Sequence, residues 1–239
     1  MGNDATYLEL ADDLAGELNG VEPGVRVVSE HELAAERRVS RPTARAALQE
    51  LERRFMVRRI QGAGTFTHRR VDYVISPDVP PSASLTLQRS GAMFELRVEH
   101  VISAHADSVL ADVLGVEVGD AVTRIVRSTR IDGVLSAIAT AHLPEVLVPG
   151  IAQHARDGVS LYQVMRAAYG LEPVRHRSSA SLEVPPLDIA EDLGVEGRPP
   201  MWRIENVNRD ARRGRMTEHT LSWMRADMVR VVFEMGGTR

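Results

Sequence analysis

The chain has 239 residues, 44% of them hydrophobic and 26% charged, with a formal net charge of −4, which fits a globular protein of one or two ordinary domains. It contains no cysteine, excluding disulfides, thiolate nucleophiles and cysteine-ligated zinc. No apolar run approaches the roughly 18 residues that cross a bilayer, and the start MGNDATYLELADDLAGEL is acidic, unlike a secretory signal; a cytoplasmic location is expected.

The charge is unevenly placed. Residues 1–36 hold Arg26 against nine acids, whereas residues 37–70 hold ten arginines against Glu50 and Glu52. Local charge, not net charge, governs an encounter with phosphate; the alternative is an arginine-rich solvated face.

In chain order, residues 5–19 place Leu8, Ala11, Leu14, Ala15 and Leu18 on one helical stripe. Gly20 stops that helix and VEPGV reads as a turn. Ser29 and Glu32 form a capping box for a brief helix ending by Val39. Ser40 caps a second one, SRPTARAALQELERR, with Pro42 tolerated in its first turn. Two short helices joined by a few residues, the second basic and amphipathic, form the helix-turn-helix pattern. MVRRI and TFTHR, β-prone runs around QGAG, add a two-stranded wing.

The run VEPGVRVVSEHELAAERRVSRPTARAALQELERRFMVRRIQGAGTFT resembles the winged helix-turn-helix DNA-binding domain of the GntR family of bacterial regulators. The residues that carry the resemblance are Ser29-Glu30, Leu33-Ala34, Val39-Ser40-Arg41-Pro42-Thr43-Ala44-Arg45 and Gln61-Gly62-Ala63-Gly64-Thr65-Phe66. Departures are Val28 where proline is usual, His31 where arginine is common and Phe55 where glycine usually ends the recognition helix. The resemblance implies double-stranded, pseudo-palindromic operator DNA as partner. It implies Arg41 and Arg45 in the major groove, where arginine forks onto guanine, and His31 beside them. Thr43 would hold a phosphate, and Gln61 and Gly62 would lie against the minor groove. Arg53, Arg54, Arg58 and Arg59 read as general charge.

Residues 71–84 read as a linker, with Pro77, Pro80 and Pro81 and a candidate strand at 73–75. Beyond it the chain repeats. LADVLGVEVGDAVTRIVRSTRIDG parallels IAEDLGVEGRPPMWRIENVNRDARRG at an offset of 79, so that Ala111/Ala190, Leu114/Leu193, Gly115/Gly194 and Ile125/Ile204 coincide. Each copy reads as helix, strand, turn and strand, giving a pseudo-twofold α+β domain with a mostly antiparallel sheet. Between the copies Ser160 caps a further helix.

Residues 85–239 resemble the UTRA effector-binding domain of the HutC branch of GntR regulators, on LGVEVGDAVTRIVRSTRIDG, AHLP, VSLYQVMRAAYGL and TEHTLSWMRAD. Length and composition also resemble phosphonate-utilisation repressors within that branch. The resemblance implies a homodimer and an effector held by Arg127, Arg130, Ser160, Tyr162 and Glu218, with arginines and a helix start favouring an anionic head group. Effectors in the branch range over amino-sugar phosphates, phosphonate-related compounds, urocanate-like acids and fatty acids.

The eight histidines show no ligand spacing, and neither a phosphate-binding glycine loop nor a nucleophile elbow occurs. No catalytic residue, cofactor or metal is expected. The expected function is a ligand-responsive transcriptional regulator of repressor type. The alternative rests on the fold that UTRA domains share with chorismate lyase: an enzyme acting on a small carboxylate.

Overall fold

The computed structural model describes residues 2–60 and 62–235, with side chains of the first helix described from Tyr7 onward. The chain divides into two compact units at Arg70/Val71.

In the first unit three helices enclose one core: α1 (Gly2–Leu18), α2 (Glu30–Arg37) and α3 (Arg41–Arg53). The Ser29–Glu32 capping box forms, the Ser29 amide donating to the Glu32 carboxylate at 2.7 Å and the Glu32 amide to Ser29 Oγ at 3.2 Å. Ser40 Oγ accepts from the Thr43 amide at 3.2 Å and so starts α3. Leu14 of α1, Leu33 of α2, and Ala44, Leu48 and Leu51 of α3 are buried together with Val57. Each buried leucine is worth about 1.5–3 kcal/mol, which is what holds helices of 8 and 13 residues that would be marginal alone. The wing is an antiparallel pair, β1 (Val57–Ile60) and β2 (Gly64–Thr67).

Two turns here are made without glycine. Arg38 caps α2 at φ 54° and Phe55 follows α3 at φ 58°, the left-handed region that costs an L-residue about 1–2 kcal/mol. The Arg70 guanidinium lies 4.3 Å from the Phe55 ring centroid and covers it.

The stretch expected as a linker, 71–84, belongs instead to the second unit. Val71–Ile75 is a strand, β3, alternating buried and half-buried residues, and Ala83–Ser90 is a helix, α4, capped by Ser82. The partner of β3 is a parallel strand, β10 (Val229–Phe233), near the other end of the chain; no local pattern could reveal it.

The rest of the second unit is built on a six-stranded antiparallel sheet. Its strands are β4 (Phe94–His105), β5 (Ala121–Ile131), β6 (Val134–Pro144), β7 (Pro173–Glu183), β8 (Met201–Asp210) and β9 (Met216–Arg225). They lie in the order β4-β5-β6-β9-β8-β7, so a pseudo-twofold axis runs between β6 and β9. The duplication extends to the outer strands, which begin at Phe94 and Pro173, again 79 apart. Register shifts recur at the same offset, between Thr129 and Arg130 and between Asn208 and Arg209.

Helices α5 (Ser108–Leu114) and α7 (Leu187–Asp192) are followed by Gly115 and Gly194 at φ 63° and 61°. Helix α6 (Leu161–Tyr169) packs Leu161 and Met165 against Ile125, Ala141 and Leu143 of the sheet. No helix among the described residues is long and apolar enough to cross a membrane.

Candidate functional site

On the N-terminal unit the cap geometry of α2 and α3 sets the surface. Arg41 and Arg45 project from the first turns of α3 and are exposed. Arg41 Nη2 is 2.8 Å from His31 Nδ1; arginine only donates, so that nitrogen accepts and the ring proton sits on Nε2. Arg45 donates through Nε to both carboxylate oxygens of Glu30, at 3.1 and 3.3 Å. Glu30 also takes the wing residue Arg59, Nη2 to Oε1 at 3.0 Å. One acidic residue therefore ties α2, α3 and the wing together, which the sequence pattern did not single out.

Arg54 joins Glu50 and Asp12, linking α3 to α1, and Arg53 Nη1 meets Glu50 at 2.9 Å. Thr43 departs from expectation: it is 4% exposed, with Oγ1 2.8 Å from Ser40 Oγ, so its hydroxyl serves the helix start and does not face outward. Gly62 sits exposed at the wing turn at φ 76°, a conformation glycine adopts freely. Gln61 lies outside the described residues.

In the C-terminal unit the central strands, with β3 and the start of α4 above them, enclose a cavity of about 60 Å³. The duplication furnishes its walls: Leu96, Arg127 and Thr129 come from the first copy, and Arg175, Asn206 and Asn208 from the equivalent positions of the second. Tyr73, Glu218, Thr220 and Ser222 complete its polar lining.

Glu218 is 5% exposed and accepts from Asn208 Nδ2 at 2.8 Å. Asn206 is bound by Ser178 Oγ at 2.7 Å and donates to the Tyr73 hydroxyl at 3.2 Å. Arg127 Nε, Arg175 Nε and Asn208 Oδ1 are buried without a protein partner. Burial pushes the Arg127 pKa down from its usual value, and the Glu218 charge opposes that shift. Two guanidiniums, Arg127 and Arg175, thus line the same small cavity as one carboxylate, Glu218, with Asn208 Oδ1 left as a buried acceptor.

Of the expected effector residues the structure brings Arg127 and Glu218 together. Arg130 is not in the cavity wall; neighbouring strand residues point to opposite faces, and its guanidinium donates to the Gly133 carbonyl at 3.3 Å in the β5–β6 turn. Ser160 and Tyr162 also stand outside the wall. Ser160 caps α6 and its Oγ is 3.0 Å from Ser82 Oγ, behind the cavity residues Pro81 and Ala83, while Tyr162 lies under Arg166.

Arg175, Asn206, Asn208 and Tyr73 were missed. The offset of 79 carries Arg127 onto Asn206 and Thr129 onto Asn208, so the duplication held a signal for two of them. Tyr73 was hidden by the proline-rich stretch that follows it.

Similarity to known proteins agrees with this architecture. The family profile of bacterial regulatory proteins, GntR family, matches residues 6–67, and that of the UTRA domain matches residues 91–230. The chain is 29% identical over 198 residues to the HTH-type transcriptional repressor PhnF of Mycolicibacterium smegmatis, covering 81% of this chain and 78% of that one. It is 27% identical over 236 residues to the HTH-type transcriptional regulator GgaR of Escherichia coli K12, covering 97% and 92%. The crystal structure of PhnF from Mycobacterium smegmatis superimposes with a TM-score of 0.66 at 27% identity, over 95% of this chain and 99% of that one. The chain belongs to the GntR family of bacterial regulatory proteins, in its UTRA-bearing HutC branch, and is a ligand-responsive DNA-binding transcriptional regulator.

Proposed function

We propose that the protein is a cytoplasmic, homodimeric repressor that leaves or tightens on its operator when a small anionic metabolite fills the C-terminal cavity. The observation that carries this reading is the cationic surplus of that cavity, where the buried, partnerless Arg127 Nε adjoins a single carboxylate, Glu218. An anionic group would take Arg127, and Glu218 or Asn208 Oδ1 would accept from a hydroxyl or amine on the same ligand.

At the other end, Arg41 and Arg45 would read guanine edges in one major groove, and the Gly62 turn would lie along the minor groove. A dimer would place two such heads about 34 Å apart, matching a pseudo-palindromic site. Binding, not turnover, is the role given to the cavity, supported by the DNA-binding unit joined to it and by relatives that are regulators. A thermal-shift screen of anionic metabolites on the full chain, followed by DNA-binding titration on its own upstream sequence, tests the reading. The expected outcome is a ligand that shifts both, with Arg127→Met abolishing the two responses together. An Arg127→Met protein that keeps both would refute it, as would chorismate lyase activity in the full chain.

A further inference from the structure

Arg175 supplies the second positive charge of the cavity wall, yet the reading above gives it no contact with the ligand. It stands on β7 at the register shift between Arg175 and Arg177, which brings its side chain over β3. Its contacts are few for a half-buried cation. Nη1 donates to Asn206 Oδ1 at 3.1 Å, an oxygen already taken by Ser178. Nη2 reaches the Val74 carbonyl at 3.4 Å, long for an N–H···O bond. The Tyr73 ring centroid is 5.9 Å away, and Nε has no partner. Among the described residues it forms no salt bridge. A half-buried guanidinium whose Nε is buried without a partner and whose remaining contacts are neutral oxygens is incompletely satisfied, and an anion in the cavity would complete it.

We propose that Arg175 is a second anion-binding residue, acting jointly with Arg127 from the opposite half of the duplication, and that on binding it releases the Val74 carbonyl. This rests on the proposal that the cavity takes an anion. Both arginines line one cavity of about 60 Å³, so an oxyanion with three or more oxygens can accept from both at once. Its second consequence concerns β3. That strand begins at Val71, next to the last residue of the DNA-binding unit, and is paired to β10 on one edge. Arg175 to Val74 and Asn206 to Tyr73 hold β3 to the cavity wall. Moving Arg175 from Val74 onto the ligand removes one of these ties from the segment through which the two units are covalently joined.

The test uses the full chain with inorganic phosphate as probe, titrated against sodium chloride of matched ionic strength. Thermal shift supplies the affinity, and hydrogen–deuterium exchange of residues 71–75 reports on β3. The wild type is expected to show a saturable stabilisation and faster exchange of β3 as phosphate binds. Arg175→Met weakens phosphate binding by about tenfold or more, the size of a lost charge-assisted hydrogen bond. It shows the faster β3 exchange already without phosphate. Arg175→Lys, which keeps the charge and loses the fork, weakens binding severalfold and guards against misfolding of the methionine variant.

If Arg175→Met and Arg175→Lys bind phosphate as the wild type does while Arg127→Met does not, Arg175 is no ligand residue and the proposal falls, leaving the anionic cavity standing. A wild type with no phosphate response overturns both. Phosphate binding with unchanged β3 exchange overturns the release of Val74.

Discussion

Glu30 offers the sharpest test of how the DNA-binding face is arranged. Its carboxylate takes Arg45 Nε at 3.1 Å and Arg59 Nη2 at 3.0 Å, and the three side chains are 28%, 63% and 43% exposed. Exposed pairs are each worth about 0.2–1 kcal/mol, so replacing Glu30 by glutamine frees roughly 1 kcal/mol of held cation for any polyanion. The same change leaves the Arg45 guanidinium without the partner that fixes its plane, and its outer fork is what a guanine edge needs. Glu30→Gln should therefore bind scrambled duplex DNA up to about fivefold tighter, with a salt slope steeper by about one phosphate. It should bind its own operator no tighter than the wild type. Fluorescence anisotropy on both duplexes across roughly 50–200 mM salt measures the two affinities, and circular dichroism checks the start of α2. A variant whose preference for operator over scrambled DNA is unchanged would refute the reasoning.

Phe55→Ala should destabilise the protein more than Phe55→Gly in urea unfolding, reversing the usual order. Both lose the ring under Arg70, but only glycine escapes the strain of φ 58°, about 1–2 kcal/mol; equal losses would show the turn is unstrained. Gly115→Ala and Gly194→Ala meet nothing within 4 Å at the new methyl, so each should cost only the left-handed backbone, about 1 kcal/mol. A free substitution at either would break the equivalence of the two halves.

On the sheet face away from α6, His142 stacks on His219 at 5.9 Å, and His219 Nε2 is 3.0 Å from Glu205. Burial, then the neighbouring His219 and Arg124, lowers the His142 pKa to about 4, against a small opposing effect of Asp107. The folded state therefore binds fewer protons than the unfolded one below the ordinary histidine value. Stability is whole above pH about 6.5 and is lost as pH falls toward about 4. Urea titrations at both ends of that window should show the decline in the wild type and a flatter profile in His142→Gln; identical profiles would remove His142 as the cause.

The expectations that held are those set by neighbours in the chain. Ser29, Glu32 and Ser40 fix their helix starts through hydrogen bonds spanning three residues, and no other part of the molecule alters that. The repeat of Gly115 at Gly194 puts a left-handed glycine beyond the end of each helix for the same reason. Thr43 failed because its neighbour Ser40, three residues back, captured the hydroxyl, a competition that a matched motif cannot show. Arg130 failed on strand geometry: a residue beside the cavity face points away from it.

The sequence by itself determined two α+β units, a winged helix-turn-helix head and a duplicated sheet, because periodicity, caps and turn residues act over a few positions. Through resemblance it also pointed to Arg127 and Glu218, which the fold brings to one cavity. Tertiary structure alone decided which polar groups share a cavity. Tyr73 comes from a strand that pairs with the far end of the chain, and Arg175 reaches it across 101 positions at Val74. Glu30 likewise meets Arg45 and Arg59 only once the helices pack. Such meetings are fixed by strand register and core burial, long-range terms that no window of sequence contains.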